Sequence, residues 1–461
     1  MVSRIKQFVA VQALKRIIAS LPYFSKENLI RLTYLAEKVM TKYDPQVLAV
    51  IREVRRYFKE DHPSLELARK IVEQLTPRCR DKLVENLFIN AMFKGVDKCK
   101  DFASKYGFEP PWFMVISPTM RCNLNCVGCS TRKYSKDSDL PIDIVDRLIT
   151  EAKNEMGMHF IVTQGGEMFV YDDMWKLYEK HSDIYFQVYT NGTLINKKIA
   201  DRLAKLGNVA PMISLEGFRE HTDARRGKGV FDKVMEAMDN LREAGVLFGF
   251  SVTQTRDNTE AVTSFEFIDM LIEKGACVGW YFQFLPIGKD PDTRLMATPE
   301  QRQRLRKFLE EVRATRSIFI GDFWNDGPFV GGCIAAGRRY IHINHKGDVE
   351  PCAFVHFAVD NIKEKSLVET LNSPFFKFLR SKQPFSKNLL TPCMIIDNPD
   401  ILREAIKNRN AYPTHEDADQ ILKGEIACFL DSYSKRIKEL TEQDWQNWLR
   451  RKSAVLNEAC Q

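Results

Sequence analysis

The sequence lacks any run of the ~20 consecutive apolar residues that a bilayer-spanning helix needs. Its first 21 residues are interrupted by Gln12, Lys15 and Arg16, so they lack the continuous apolar core of a secretory signal. The charge imbalance is small: a net +7 over 461 residues is far from a nucleic-acid footprint. It reads as a solvated basic surface that still admits anionic substrates or lipid headgroups. Eleven cysteines are too sparse at this length for a disulfide scaffold. These absences point to a reducing cytoplasm, where clustered thiols signal metal or redox chemistry. A chain this long exceeds what one hydrophobic core usually serves, so two or three domains are expected.

Residues 1–110 read as a helical domain. Ile5, Phe8 and Val9, then Leu14, Ile17, Ile18 and Leu21, keep helical spacing, flanked by Arg4, Lys6, Lys15 and Arg16. Such a basic amphipathic helix either packs on its own domain or lies on a membrane surface. Further helices are expected near 26–43, 45–57 and 64–75. Another begins at Thr76-Pro77, with threonine as cap and proline in the first turn, and ends at Gly95.

From Trp112 the pattern changes to short apolar runs alternating with helical stretches. Strands are expected at 113–117, 159–163, 185–189, 211–215, 248–253 and 280–285, with helices after each. Six strand–helix alternations call for a parallel sheet covered by helices. The fold class expected is therefore α/β, a partial (β/α)6 TIM-like barrel over 111–290, with active groups at the carboxyl ends of its strands. Beyond it, 340–344 and 348–352 form a hairpin through Lys346-Gly347, and the tail from Asp400 is polar and helical. Residues 291–398 form a small α+β extension and 399–461 a helical tail.

Directly after the first expected strand stands Cys122-Asn-Leu-Asn-Cys126-Val-Gly-Cys129. Three thiolates this close can face one iron–sulfur cluster and leave one iron open. Zinc or packing are the bland alternatives, but zinc sites usually take four ligands and no histidine or fourth cysteine lies nearby.

With this motif the chain resembles the radical S-adenosylmethionine superfamily over about residues 112 to 290, on several motifs in order. Gln164-Gly165-Gly166-Glu167 matches the segment that holds the methionine amino group; Glu167 could pair with an ammonium. Thr190-Asn191-Gly192 matches the family's T-N-G, and Ser214-Leu215-Glu216-Gly217 its S-x-[DE]-G, positioned for the ribose and methionine. Arg225-Arg226-Gly227 resembles the one whose arginine faces the cofactor carboxylate, with the choice between the two arginines open. Gln283, Phe284 and Leu285 end the sixth strand, where the family builds part of its adenine pocket. The resemblance implies a [4Fe-4S] cluster, S-adenosylmethionine, and an electron donor such as flavodoxin or ferredoxin. One-electron cleavage would then yield a 5′-deoxyadenosyl radical that removes a substrate hydrogen atom.

Cys333, Gly347 and Cys352 are separated by thirteen and then four residues. This resembles the opening of the SPASM and twitch extensions, with Cys393 as third ligand and one auxiliary iron–sulfur cluster implied. The fourth ligand is open between Cys428, Asp397, His415 and a substrate position. Cys79, Cys99 and Cys277 read as packing residues and Cys460 as unligated. Aromatics at Trp280, Tyr281, Phe282 and Phe284 can floor an apolar cavity, half of them inside by strand alternation. Asp322 or Asp326 is a candidate proton carrier.

The reading is a cytoplasmic radical enzyme, with contact at the inner membrane face through residues 1–21 as an option. The helical N-terminus and the aromatic strand favour a lipid or isoprenoid-like substrate. The alternatives are a peptide or protein maturase, another small molecule, and a non-catalytic iron–sulfur carrier. No nucleic-acid partner is expected.

Overall fold

Seven parallel strands carry the molecule. The computed structural model describes residues 25–40, 45–288 and 290–459. The expected strands form as β1 (Phe113–Thr119), β2 (Phe160–Gly165), β3 (Tyr185–Thr190), β4 (Val209–Leu215), β5 (Gly249–Gln254) and β6 (Val278–Gln283). Each pairs in parallel with its sequence neighbour. In β1 all residues after Phe113 are buried, as befits a strand covered on both faces. Crossover helices such as Ile142–Met156 bury Val145, Leu148, Ile149 and Ala152 against the sheet. That helix stops at Gly157, whose left-handed φ of 69° suits glycine.

Two additions extend the expected six. A seventh strand, β7 (Phe319–Asp322), pairs in parallel with β6. The hairpin forms as β8 (Tyr340–Ile343) and β9 (Val349–Glu350), and β8 pairs in parallel with β1. The sheet order is thus β7-β6-β5-β4-β3-β2-β1-β8-β9. The hairpin that carries Cys352's approach is hydrogen-bonded to the strand that leads into Cys122. β7 escaped sequence reading because it is four residues long and ends in glycine and aspartate, both poor strand formers.

The described part of the N-terminal region is helical: Lys26–Met40, Pro45–Lys59, Ser64–Gln74, Pro77–Lys82, a wider-wound segment Leu83–Lys94, and Gly95–Tyr106. Thr76 caps as expected, accepting from Cys79 N. Gly95, however, does not end the helical run. It permits close contact, since a Cβ there would lie 2.5 Å from the Gly157 carbonyl. Polar side chains clasp this layer to the barrel. Lys70 Nζ donates to Ile272 O at 2.7 Å, and Asn86 Nδ2 to Ser182 O and Ile184 O at 3.0 and 3.1 Å. Cys79 and Cys277 are buried, while Cys99 is half-buried with its sulfur 3.2 Å from Met156 O. The amphipathic segment 1–21 and Cys460 lie outside the described residues. Among the described residues no helix is long and apolar enough to cross a membrane.

On the other side, helix Pro299–Thr315 packs on the terminal helix Gly424–Ala459. Arg302, from the first of these, is fully buried and forks onto Asp397 with Nη1···Oδ1 2.6 Å and Nη2···Oδ2 3.2 Å. Its Nε also donates to Asn325 Oδ1 at 2.9 Å. Removing one member of such a pair strands a buried charge. Arg302→Ala should lower unfolding free energy by ~3–5 kcal/mol in urea titration; a loss below ~1 kcal/mol would show that Asp397 is stabilised by other groups.

Candidate active site

The loop carrying Cys122, Cys126 and Cys129 has no regular secondary structure of its own, so neighbouring strand ends shape it. From β2, Gly166 N donates to Thr119 O at 2.9 Å and Glu167 N to Arg121 O at 2.8 Å. From β3's end, Asn191 Nδ2 reaches Asn123 Oδ1 at 2.8 Å and approaches Cys122 Sγ at 3.8 Å. From the helix after β4, the Arg225 carbonyl accepts from Val127 N at 2.9 Å, and Arg225 Nε donates to Val127 O at 3.3 Å. Gly128 sits at φ 61°, where a Cβ would meet the Phe284 ring at 2.5 Å.

These contacts assign structural work to Gly165, Gly166 and Glu167. Gly165 and Gly166 are required because the chain crosses tightly over the root of the cysteine loop. A Cβ at Gly166 would lie 2.0 Å from Arg121 O, and one at Gly165 2.4 Å from Thr119 O. Glu167 is not aimed outward at an ammonium. It is fully buried: Oε1 accepts from Thr190 Oγ1 at 2.7 Å and Phe169 N at 3.1 Å, and Oε2 from Asn191 N at 2.8 Å. Burial raises its carboxyl against the pull of those donors. Glu167 is a brace tying the β2 and β3 ends together.

Glu216, at the end of β4, is the second buried carboxylate. Its Oε1 takes the guanidinium groups of both Arg225, at 2.7 Å, and Arg226, whose Nε lies at 2.8 Å. Its Oε2 is buried with no hydrogen-bond partner. Glu216, predicted to touch the cofactor, does not line the cavity; it stands behind the wall and holds the two arginines that do. Both arginines line the cavity, and Arg225 is the one engaged by the cysteine loop.

The second thiol set faces the same space. Cys333 lies in the segment joining β7 to β8, Cys352 follows β9, and Cys393 precedes helix Pro399–Asn408. Tyr340 Oη lies 2.8 Å from Cys352 Sγ, and Ile395 N donates to Cys393 Sγ at 3.3 Å. Burial pushes Cys352 up to about 11 and Cys393 to about 12, so without a cation these thiols stay protonated. Burial likewise raises Cys122 and Cys126. Thiols this reluctant to ionise become ligands when a metal supplies the charge. Of the three protein groups considered as fourth ligand, only Asp397 lies against the thiol set, and its oxygens are already engaged. Cys428 is exposed on the terminal helix. Asp397 is held by Arg302 and by Cys393 N, at 2.9 Å. His415 Nε2 lies 2.6 Å from His356 Nδ1.

Both thiol sets line one cavity of about 690 Å³. Its wall includes strand-start residues Phe113, Phe160 and Phe319 and strand-end residues Gly165, Thr190 and Asn191, so it runs the length of the strands, ~20 Å. Trp280 and Phe282 line it and Tyr281 is packed in the core, as alternation requires, whereas Phe284, one residue past the end of β6, leaves the alternation and is buried outside the cavity. Ser214, Gly165, Gly166, Thr190 and Asn191 line it too. Gln283 and Leu285 do not: both are buried outside it, with Gln283 Nε2 donating to Gln254 Oε1 at 2.6 Å. Gln187, Tyr189, Ser251 and Thr253, which sequence reasoning missed, do line it, and the same alternation along β3 and β5 would have found them. Asp322 is a turn cap, accepting from Trp324 N, Asn325 N and Asn325 Nδ2. Asp326 faces the cavity beside Arg313, at 2.8 Å, and burial pushes its carboxyl up to about 6. Trp112, Phe319 and Phe329 rim the amino-end side, 59%, 53% and 68% exposed.

The donor chemistry suits an iron–sulfur cluster and a polar cofactor: six thiols and the guanidinium pair of Arg225 and Arg226 line one cavity. Comparison with known proteins agrees. Residues 116–268 match the radical SAM superfamily, and residues 333–394 match an iron-sulfur cluster-binding domain, SPASM. Mycofactocin maturase MftC of Mycolicibacterium smegmatis is 31% identical over 301 residues, 60% of this chain and 74% of that protein. An AdoMet-dependent heme synthase of Nitratidesulfovibrio vulgaris is 25% identical over 300 residues, 58% and 78% of the two chains. Streptococcus suis SuiB bound to S-adenosylmethionine shares the fold with a TM-score of 0.55 at 21% identity, covering 65% of this chain and 76% of that one. The chain belongs to the radical SAM superfamily and is an enzyme that uses a [4Fe-4S] cluster and S-adenosylmethionine, with a SPASM region for auxiliary iron–sulfur binding.

Proposed function

We propose that this enzyme is a peptide or protein maturase. In this reading Cys122, Cys126 and Cys129 hold the cluster that binds S-adenosylmethionine, and Cys333, Cys352 and Cys393 hold one auxiliary cluster. When bound, the cofactor pair supplies a 5′-deoxyadenosyl radical for hydrogen abstraction, with an electron from a flavodoxin- or ferredoxin-like donor. The chain's own residues do the rest. Gly165, Gly166, Thr190 and Asn191 form the wall at the methionine end, and Arg225 and Arg226, held from behind by Glu216, present cations for a carboxylate. Glu167 acts through Thr190 and Asn191. Gln283 and Leu285 shape the adenine side only from behind the wall. The aromatic interior excludes water from the reacting centre, and Asp326 is placed to accept a proton.

The observation that carries the peptide reading is one cavity faced by both thiol sets and extended along the strands to an exposed aromatic rim. An elongated substrate can enter there and present one side chain to the radical end. The related proteins lean the same way: MftC is a maturase, and SuiB has been solved bound to its precursor peptide SuiA. The lipid expectation rested on the helical N-terminus, whose residues 1–21 lie outside the described residues, and on the aromatic strand; it gains no support from the relatives.

Reconstituted enzyme, given dithionite, S-adenosylmethionine and the short peptide encoded nearest its gene, should change that peptide's mass while releasing 5′-deoxyadenosine. An unmodified peptide alongside a modified lipid extract would overturn the assignment. Glu167→Ala should weaken S-adenosylmethionine binding by about tenfold or more, the scale expected when a buried carboxylate holding three donors is lost. Glu167→Gln, which keeps acceptor geometry on one oxygen, should lose less. Equal losses measured by equilibrium dialysis would mean that Glu167 acts by charge and not as a brace.

A further inference from the structure

Away from the cavity wall, a buried polar assembly is gathered on Glu350, two residues before Cys352. Glu350 is fully buried. Its Oε1 accepts from Tyr134 Oη at 2.7 Å, Thr414 Oγ1 at 2.6 Å and Asn344 Nδ2 at 3.1 Å. Its Oε2 lies 2.6 Å from His342 Nδ1, and His342 Nε2 lies 2.7 Å from Ser117 Oγ. All of these groups are buried. Ser117 stands on β1 five residues before Cys122, and Tyr134 five residues after Cys129. The carboxylate–imidazole unit therefore grips the cysteine loop on its entry strand and on its exit, from a strand that runs into Cys352. The grip continues on the other side, because the carbonyl of Pro351 accepts from Ala336 N at 2.8 Å, three residues past Cys333.

Desolvating a carboxylate costs several kcal/mol unless donors replace the lost water. Here the replacements come from separate chain segments, so no segment can shift without leaving a buried polar group unpaired. The serine–imidazole–carboxylate order looks like a hydrolytic triad, but Ser117 is fully buried and does not line the cavity. Its geometry is that of a brace.

We propose that Glu350 and His342 are positioning residues that lock the loop of Cys122, Cys126 and Cys129 and the Cys333 and Cys352 segments into one rigid frame, so that a change made at one thiol set is felt at the other. The cluster part of this inference rests on the assignment of both thiol sets as cluster ligands; the frame itself does not.

The test uses full-length protein with Tyr134→Phe, which removes only one hydroxyl, and Glu350→Gln. In metal-free protein, amide exchange followed by mass spectrometry should speed up about five- to tenfold across residues 119–134 in both variants, the effect of one lost buried hydrogen bond. Helix Val230–Glu243 should stay unchanged. In reconstituted protein, Tyr134→Phe should shift the EPR signal of the auxiliary cluster, observed alone in a Cys122/Cys126/Cys129→Ala background. Reciprocally, Glu350→Gln should shift the signal that remains in a Cys333/Cys352/Cys393→Ala background. Exchange that rises only in the 340–352 hairpin overturns the frame. EPR signals that move in neither cross-combination, at intact iron content, overturn the coupling. If Glu350→Gln fails to fold, Tyr134→Phe decides alone. Faster exchange in a protein that binds only one cluster would retain the frame and refute the two-cluster assignment instead.

Discussion

A loop that must present three thiols to one object cannot also be a helix or a strand, so its shape has to be imposed from outside. That constraint organises the structure. The loop leaves β1 and is gripped by the ends of β2 and β3 and by the helix after β4, through backbone contacts that only glycine permits at 165 and 166. Two carboxylates without solvent stand behind those grips. Glu167 fastens β2 to β3, and Glu216 fastens β4 to the two arginines. Glu167 is stable there because donors stand in for water, and Glu216 because two guanidinium groups meet its Oε1. The rest of the barrel, with its apolar strands and helical cover, keeps these strand ends in register.

The same constraint explains which parts of the site were legible in the sequence. Parallel strands buried on both faces leave continuous apolar runs, so the six strands through β6 could be read, as could the motifs at their ends. The roles within the motifs were not legible. Sequence places Glu167 beside a cofactor-binding loop, but only geometry shows that both its oxygens accept from protein donors. Gln283 and Leu285 sit at the right strand end yet face away from the cavity, because one residue of register decides the face. Gly95 carries a helix-stop signal, but in three dimensions it answers to Gly157. Long-range pairs such as Arg302 with Asp397 leave no local pattern at all.

The cavity joins two chemically unlike halves. One end holds Cys122, Cys126 and Cys129 with the cations of Arg225 and Arg226; the other is lined by Trp280, Phe282 and Phe160, has Cys352 beside Tyr340, and opens between Trp112, Phe319 and Phe329. Because β8 extends the sheet beside β1, the extension that brings Cys333 and Cys352 is part of the barrel wall. Two redox groups and one substrate channel can therefore share a single enclosed space, which is what an enzyme needs to guide a radical without losing it to water.

Iron counting with Mössbauer spectra of anaerobically reconstituted protein tests this account most directly. Wild type should bind about eight irons as two [4Fe-4S] clusters, and Cys122/Cys126/Cys129→Ala and Cys333/Cys352/Cys393→Ala should each retain about four. A Cys122/Cys126/Cys129→Ala protein that folds but binds no iron would contradict it.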